Sequence, residues 1–126
     1  LVLMGHGTEH YANSVYAALD YRFKDMGHKN IFLGTVEAYP ALDSLLRAAD
    51  SFQPKKIVLA PFMIVAGDHA RNDLAGAEAD SWDSILKADG FETEVIMTPV
   101  LKGLGEYPKI RQILVDHVQQ AMDASI

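Results

Sequence analysis

The chain has 126 residues, of which 49% are hydrophobic, and this is enough for one domain with its own core. Its net charge of −6 argues against a nucleic-acid-binding protein, because such proteins usually present a basic surface. The absence of cysteine excludes disulfide bonds and thiolate metal sites. The sequence has no apolar run near the roughly 18 residues of a membrane span and no recognisable signal peptide, so we expect no membrane segment.

Four apolar runs alternate with four segments of helical periodicity. The runs predict strands at residues 1–4, 30–39, 55–65 and 91–100. The periodic segments predict helices at residues 12–27, 40–52, 78–90 and 107–125, with a polar loop or helix start at residues 67–76. The order is βαβαβαβα, which favours an α/β fold: an open parallel four-stranded sheet with helices on both faces, as in flavodoxin-like proteins.

Three of the predicted helices carry apolar stripes that we expect to face the sheet. The stripe of the first helix comprises Val15, Leu19, Phe23 and Met26. The stripe of the second helix comprises Leu42, Leu45, Leu46 and Ala49. The stripe of the last helix comprises Ile110, Ile113, Leu114 and Val118. We also expect Pro40 at the first position of the second helix. Trp82 should pack the third helix onto the sheet.

We predict a single α/β domain over residues 1–126. Four strands make a small sheet for this class, so the domain is either a minimal unit or one half of a larger protein. Leu1 is not a methionine and lies inside an apparent strand. We therefore expect the native start to precede it, where an export leader or a further domain would stand.

Three residues whose side chains can bind a metal ion follow the ends of the predicted strands. In open α/β sheets, ligands bind beyond the carboxyl ends of the strands. His6, Glu37 and His69 follow the first three predicted strands, so we expect them together at one edge. Two imidazoles and a carboxylate suit Fe, Co, Ni or Zn, and three protein ligands leave positions open for a catalytic or transfer step. Gly5 and Gly7 would let a bulky planar ligand approach the backbone.

These residues also have ordinary structural interpretations. A single histidine after a strand is most often a solvated loop residue or a helix start, and Gly-His-Gly also suits a tight turn or a phosphate-binding loop. An acid–base site is an alternative to a metal site. The polar residues around His69 can simply cap and solvate a helix start: Asp68, Arg71, Asn72 and Asp73.

Two further features have no predicted role in such a site. The other histidines are expected in loops or on helix surfaces: His10, His28 and His117. The Gly103-Leu104-Gly105 stretch lacks the third glycine of a dinucleotide-binding fingerprint, so we predict no nucleotide site there.

Three stretches of the sequence resemble one family. They are VLMGHGTEH at 2–10, GTVEAYP at 34–40 and PFMIVAGDHARNDLAG at 61–76. They are similar to motifs of the anaerobic sirohydrochlorin cobaltochelatases, the class II tetrapyrrole chelatases of early-cobalt cobalamin synthesis, in the same order and at compatible spacing. Family members of this type have two similar α/β halves with the tetrapyrrole between them. This chain resembles the carboxyl-terminal half, which carries the metal ligands.

The resemblance implies a lyase that inserts Co²⁺ into sirohydrochlorin and releases two protons. It implies His6, Glu37 and His69 as metal ligands and His6 as the acceptor of a pyrrole proton. In that mechanism Glu37 balances the charge of the cation and relays protons. Fe²⁺ and Ni²⁺ also suit such a site, and no nucleotide or organic cofactor is expected. The cytoplasm is the default location for a cofactor-synthesis enzyme, although some relatives are exported. Thr8 and Arg71 are candidates for binding the substrate's carboxylates.

The implied partners are sirohydrochlorin and a second half that completes the cleft. That second half is either the absent amino-terminal half or, as in short single-domain relatives, another copy of the chain. Without it, we expect incomplete enclosure of the substrate, and this chain alone can be inactive.

Three other functions compete with chelation. One is a non-catalytic metal- or tetrapyrrole-binding module of the same fold. Another is a flavodoxin-like regulatory or interaction domain with incidental histidines, although the acidic pocket of a phosphoacceptor receiver is not evident. The third is a metallohydrolase, which normally has more carboxylates or a denser histidine cluster.

Overall fold

The structure, a computed structural model, describes residues 1–96 and 102–125. Its strands are β1 (Val2–Gly5), β2 (Phe32–Thr35), β3 (Ile57–Pro61) and β4 (Thr93–Val95). Its α-helices are α1 (Ser14–Asp25), α2 (Leu42–Phe52), α3 (Trp82–Ala88) and α4 (Pro108–Ala124). A π-helix covers His69–Leu74, and short 3-10 helices cover Tyr11–Asn13 and Leu104–Glu106. The end of the fourth predicted strand, with Thr98-Pro99-Val100, lies outside the described residues.

The four strands form one parallel sheet in the order β2-β1-β3-β4. In β1, Val2 lies opposite Phe32 of β2 on one side and Leu59 of β3 on the other. β4 pairs with the outer side of β3. The predicted open parallel sheet is thus confirmed. Because all four strands run in one direction, the segments that follow β1, β2 and β3 leave from the same edge.

The principal core lies on the face of the sheet that α2 and α3 cover. Its strand residues include Val2, Met4, Ile57 and Leu59, and its helix residues include Leu45, Ala49, Trp82 and Leu86. Trp82 is only 5% exposed, which confirms its predicted packing. Since full burial of one large apolar side chain contributes about 1.5–3 kcal/mol, this face is the main source of stability.

The helix α1 packs on the opposite face, so helices cover both faces as predicted. Its partly buried stripe comprises Tyr16, Leu19, Asp20, Phe23 and Lys24. The predicted stripe is therefore right for Leu19 and Phe23. It is wrong for Val15, which is 59% exposed, and Met26, which is 62% exposed. The buried stripe includes Asp20 because its carboxylate accepts a 2.8 Å hydrogen bond from the backbone N–H of Leu33, a contact that hydropathy does not reveal.

All four helices begin later than predicted, and for α2 and α3 the hydrogen bonds show a local reason. Pro40 is not the first residue of α2, because its carbonyl accepts hydrogen bonds from the backbone N–H and the hydroxyl of Thr35 and belongs to a turn. The helix α3 begins at Trp82 rather than near residue 78. Its start is fixed by Ser81, whose hydroxyl accepts a 3.1 Å hydrogen bond from the N–H of Ser84.

In the part of the chain that the structure describes, the helix α4 contacts mainly the 3-10 helix Leu104–Glu106 and not the sheet. Its apolar side chains are about half exposed, as the values for Ile113 (48%), Leu114 (45%) and Val118 (60%) show. The expectation that this stripe faces the sheet is therefore wrong. Among the described residues, none of the helices combines the length and hydropathy that crossing a bilayer requires.

Candidate metal centre

Three strand exits bring His6, Glu37 and His69 together at one edge of the sheet, as the sequence predicts. His6 directly follows β1, Glu37 lies two residues beyond β2, and His69 begins the π-helix after β3. Because β1 lies between β2 and β3, His6 comes from the middle exit. Each residue offers one ligand atom within 4.8 Å of the other two, a spacing that a single metal ion can bridge.

The carboxylate of Glu37 lies between the two imidazoles. Its Oε2 is 3.6 Å from His6 Nδ1, and its Oε1 is 3.5 Å from His69 Nε2. The two rings meet edge to face, with centroids 4.4 Å apart. The side chains of His6, Glu37 and His69 are 49%, 50% and 38% exposed. The cluster is thus open to solvent, and a bound ion would keep positions free for other ligands.

Close packing around β1 explains both glycines that flank His6. A Cβ on Gly5 would lie 2.3 Å from the ring of Tyr16. Gly7 has a φ of +85°, and a Cβ there would lie 3.0 Å from the backbone nitrogen of Ala38. The absence of a side chain thus lets Gly5 pack against α1 and lets Gly7 approach the β2 exit closely. The expected approach of a planar ligand beside the glycines stays a prediction.

A hydrogen-bonded turn holds Glu37 beside His6. The backbone N–H of Glu37 donates to the carbonyl of His6 at 3.0 Å, which extends the pairing of β1 and β2 beyond the strands. Thr35 is 1% exposed. Its hydroxyl accepts a hydrogen bond from the N–H of Ala38 and donates one to the carbonyl of Pro40. Sequence reasoning missed Thr35, because nothing in its neighbourhood signals a buried turn hydroxyl.

The π-helix places His69 beside a carboxylate that the sequence analysis treated only as a capping or solvating residue. Ala70 and Leu74 are fully buried and anchor the helix to the core. Asp73 Oδ2 lies 2.6 Å from His69 Nδ1. The four-residue spacing of the histidine and the aspartate was the available signal, because residues four apart adjoin on a helical turn.

The loop containing Gly103 and Gly105 supports the segment that leads from β3 to the π-helix. The N–H of Leu104 donates to the carbonyl of Met63 at 2.6 Å, and the N–H of Gly105 donates to that of Ile64 at 2.9 Å. A Cβ on Gly103 would lie 2.4 Å from the Ile64 oxygen. These glycines therefore serve a close backbone approach.

The candidate substrate contacts, Thr8 and Arg71, and the three other histidines are not members of the cluster. Thr8 is exposed; its N–H donates to Asn13 Oδ1, and its hydroxyl accepts from the N–H of His10. Arg71 is exposed on the π-helix. The other histidines are exposed and outside the cluster, as expected: His10, His28 and His117.

Both imidazoles of the cluster have an oxygen acceptor beside Nδ1. For His6 the acceptor is the carbonyl of Gly7 at 2.9 Å, and for His69 it is the Asp73 carboxylate. A proton on His69 Nδ1 satisfies its contact with Asp73 and leaves a lone pair on Nε2, the nitrogen that faces Glu37, whereas the His6 nitrogen nearest Glu37 is Nδ1. A neutral imidazole nitrogen is a common metal ligand. The cluster therefore offers two nitrogen donors and one carboxylate donor.

An open parallel sheet with this cluster at its carboxyl edge defines an α/β domain with a candidate centre for a divalent first-row metal. Comparison with known proteins then identifies the family. The family model described as cobalt chelatase (CbiK) matches residues 1–123, and the chain belongs to that family.

Two curated relatives support the same assignment. The chain is 39% identical over 126 residues to the sirohydrochlorin cobaltochelatase of Salmonella typhimurium, covering 100% of this chain and 46% of the relative. It is 36% identical over 124 residues to the sirohydrochlorin cobaltochelatase CbiKC of Nitratidesulfovibrio vulgaris, covering 98% and 42%. The chain thus spans less than half the length of these relatives.

A solved structure shows the same fold. The CbiX protein from Marinobacter aquaeolei VT8 superposes with a TM-score of 0.71 at 17% identity, covering 98% of this chain and 94% of that one.

Proposed function

We propose that this chain is the metal-binding half of a sirohydrochlorin cobaltochelatase, a lyase that inserts Co²⁺ into sirohydrochlorin. The observation that carries the proposal is the convergence of His6, Glu37 and His69 at the edge where α/β sheets bind ligands. The two relatives named as sirohydrochlorin cobaltochelatases support the substrate and the metal. A cytoplasmic location and a role in cobalamin synthesis belong to the same proposal.

The ligand set suits an ion that must be held and then released. Co²⁺ is a substrate here, so its ligands must compete with water yet give the ion up to four pyrrole nitrogens. Two imidazoles and one carboxylate are intermediate in softness, and Fe²⁺ and Ni²⁺ would compete for them. The half-exposed cluster leaves room for the macrocycle on its open side.

Insertion also requires the removal of two pyrrole protons. His6 is the proposed acceptor, because imidazole is the side chain that most often serves as a general base. Protonation weakens its hold on the ion, so deprotonation of the ring and delivery of the metal are coupled. Glu37 lies 3.6 Å from His6 and balances the cation's charge while passing protons outward.

The net charge of the chain is −6, so the carboxylates of the macrocycle require local hydrogen-bond donors to bind it. Thr8 and Arg71 are the proposed contacts, since they follow His6 and His69 by two residues and are exposed. An arginine that pairs with a carboxylate gives a strong charged hydrogen bond.

A second α/β half, supplied by a longer chain or by another copy, is proposed to close the site. The open cluster and the exposed apolar stripe of α4 support this, because both present surface that a neighbouring half would cover. In that arrangement residues 1–126 form the carboxyl-terminal, metal-binding half.

The deciding experiment is metallation of sirohydrochlorin with Co²⁺, followed by absorbance, for the chain and its His6→Ala variant. His10→Ala is the matched control, because His10 is an exposed imidazole outside the cluster. Insertion that only His6→Ala abolishes supports the whole proposal. Cobalt binding that only His6→Ala abolishes, without insertion by any protein, supports the metal site and a requirement for the second half. Absence of cobalt binding by the unmodified chain overturns the proposal.

One alternative, a metal- or tetrapyrrole-binding module without turnover, is favoured by the openness of the cluster. Glu37→Gln separates the two functions when a completed cleft is present. In a chelatase, this variant loses insertion while its circular dichroism spectrum is unchanged. In a module, the unmodified chain binds Co²⁺ but shows no insertion rate.

A further inference from the structure

We propose that Asp73 is a positioning residue of the candidate metal centre, which holds the His69 imidazole with Nε2 directed at the ion. The inference rests on the proposed function for the identity of that ion. Asp73 Oδ2 lies 2.6 Å from His69 Nδ1, whereas Nε2 at the far side of the ring lies 3.5 Å from Glu37 Oε1. A carboxylate at one ring nitrogen keeps the proton there and leaves the other lone pair facing the cluster.

The fold presents Asp73 to His69 on a rigid support. Both residues lie on the π-helix, four positions apart, and each immediately precedes a residue that is 0% exposed, Ala70 and Leu74. These anchors fix both ends of the turn to the core. Single π-helical turns are frequent at functional sites, where they redirect side chains.

The His69–Asp73 pair differs from the ordinary ion pairs of this chain. Asp43 and Arg47 also lie four residues apart, but their side chains are 68% and 67% exposed, and such surface pairs contribute little. His69 has a second ring nitrogen that faces another member of the cluster. A contact at Nδ1 therefore acts on what Nε2 can bind.

The two imidazoles of the cluster are held by unlike acceptors. The nearest acceptor to His6 Nδ1 is the Gly7 carbonyl at 2.9 Å, with Glu37 Oε2 farther away at 3.6 Å, whereas the nearest acceptor to His69 Nδ1 is the Asp73 carboxylate at 2.6 Å. Because a carboxylate partner makes an imidazole a better ligand, Asp73 makes His69 the stronger donor.

The first test reads the His69 tautomer in the metal-free chain. Long-range ¹H–¹⁵N spectra are recorded at pH about 8.5, where an ordinary imidazole is neutral, and His69→Gln assigns the signal. We expect the Nδ1–H tautomer in the unmodified chain and averaged nitrogen shifts in Asp73→Ala. Asp68→Ala is the control, because Asp68 is an exposed carboxylate beside His69 that makes no capping bond. An unchanged His69 tautomer in Asp73→Ala overturns the proposal.

The second test titrates Co²⁺ alone and follows its visible absorption. Asp73→Ala should bind about 10–100-fold more weakly, the usual cost of losing a ligand-orienting partner. Asp73→Asn, which keeps the shape of the side chain, should also weaken binding, whereas Asp68→Ala should not. Unchanged affinity in both Asp73 variants overturns the proposal. If the tautomer is fixed by Asp73 but the unmodified chain binds no Co²⁺, the proposed function fails and the orienting contact stands.

Discussion

At the scale of single residues, Glu37 is the only carboxylate within the three-member cluster, and its position depends on a short turn. Its backbone is tied to His6, and the turn around it is closed by the hydroxyl of Thr35. Small changes in this turn would move the carboxylate relative to both imidazoles. Substitution of the residues that support this turn should therefore change Co²⁺ affinity, as substitution of Glu37 itself should.

Thr35→Val should weaken both the fold and the metal centre. Valine has the same shape as threonine but leaves the N–H of Ala38 without its hydroxyl acceptor, and loss of such a partly buried hydrogen bond costs about 0.5–1.5 kcal/mol. Urea unfolding measures the loss of stability, and Co²⁺ titration measures the effect on the centre. Thr35→Ser keeps the hydroxyl and should retain Co²⁺ affinity. Equal Co²⁺ affinity in all three proteins would contradict a supporting role for Thr35.

Gly7→Ala should destabilise the chain more than Gly27→Ala. Both glycines have positive φ, +85° and +92°, so alanine costs about 1–2 kcal/mol at either site from backbone strain. A Cβ at Gly27 meets nothing within 4 Å, whereas at Gly7 it meets Ala38 and Thr35 at 3.0 Å. Both variants share the backbone strain, so the difference between their melting temperatures in thermal unfolding measures the effect of the close contact at Gly7. The packing argument for Gly7 fails if their melting temperatures agree.

At this scale, the sequence predicted which three candidate residues the sheet brings together. His6, Glu37 and His69 could be predicted to converge because each follows a strand of a parallel sheet. Asp73 and Thr35 could not be assigned roles, because their contacts depend on the exact course of one turn.

At the scale of elements, Asp83 joins α3 to β4. Its carboxylate is 15% exposed and accepts hydrogen bonds from Lys87 Nζ at 2.7 Å and from the hydroxyl of Thr93 at 2.5 Å. Burial by itself would raise the pKa of Asp83, but the hydrogen bonds from Lys87 and Thr93 and the charge of Lys87 outweigh it and hold that pKa below its ordinary value. The ionised form is thus favoured in the folded chain.

Asp83→Asn should lower the free energy of unfolding by about 1–2 kcal/mol at neutral pH, since charged hydrogen bonds are lost. A carboxyl with a lowered folded-state pKa contributes fully above its unfolded pKa of about 4, and the contribution is lost as pH falls through the folded-state pKa. Urea unfolding across this range should show the two proteins converging in acid. Asp43→Asn, in an exposed pair, is the control with little expected effect. A difference that persists at low pH would contradict this assignment.

Hydrophobic periodicity predicted the order and type of the helices and strands. It did not predict correctly which faces of α1 and α4 are buried. In α1 the buried stripe includes Asp20, whose burial is offset by a backbone hydrogen bond. The amphipathic pattern of α4 predicts that one face is buried, but it does not identify the surface against which that face packs. Periodicity records that a face is apolar, not what it packs against.

At the scale of the whole molecule, α4 provides a test of the proposed second copy. We expect the chain to associate as its concentration rises. Leu114→Ser combined with Val118→Ser should reduce that association in sedimentation equilibrium without lowering the stability of the monomer, because both side chains are about half exposed. Leu86→Ala is the contrasting variant: Leu86 is 1% exposed, and its loss should cost about 2–5 kcal/mol. A large loss of monomer stability in the α4 variant would show that α4 packs on its own domain in solution.

The three exits that build the centre belong to segments roughly thirty residues apart, joined only when β2, β1 and β3 are paired. The unfolded chain therefore has no equivalent site, and Co²⁺ at one hundred times its dissociation constant would add about 2.7 kcal/mol to the stability of the folded form by mass action. Under the proposed function, the ion is also what the protein gives away. The metal-bound chain would then resist unfolding and proteolysis better than the metal-free chain. Each insertion of the ion into the macrocycle would leave the chain in its less stable, metal-free form.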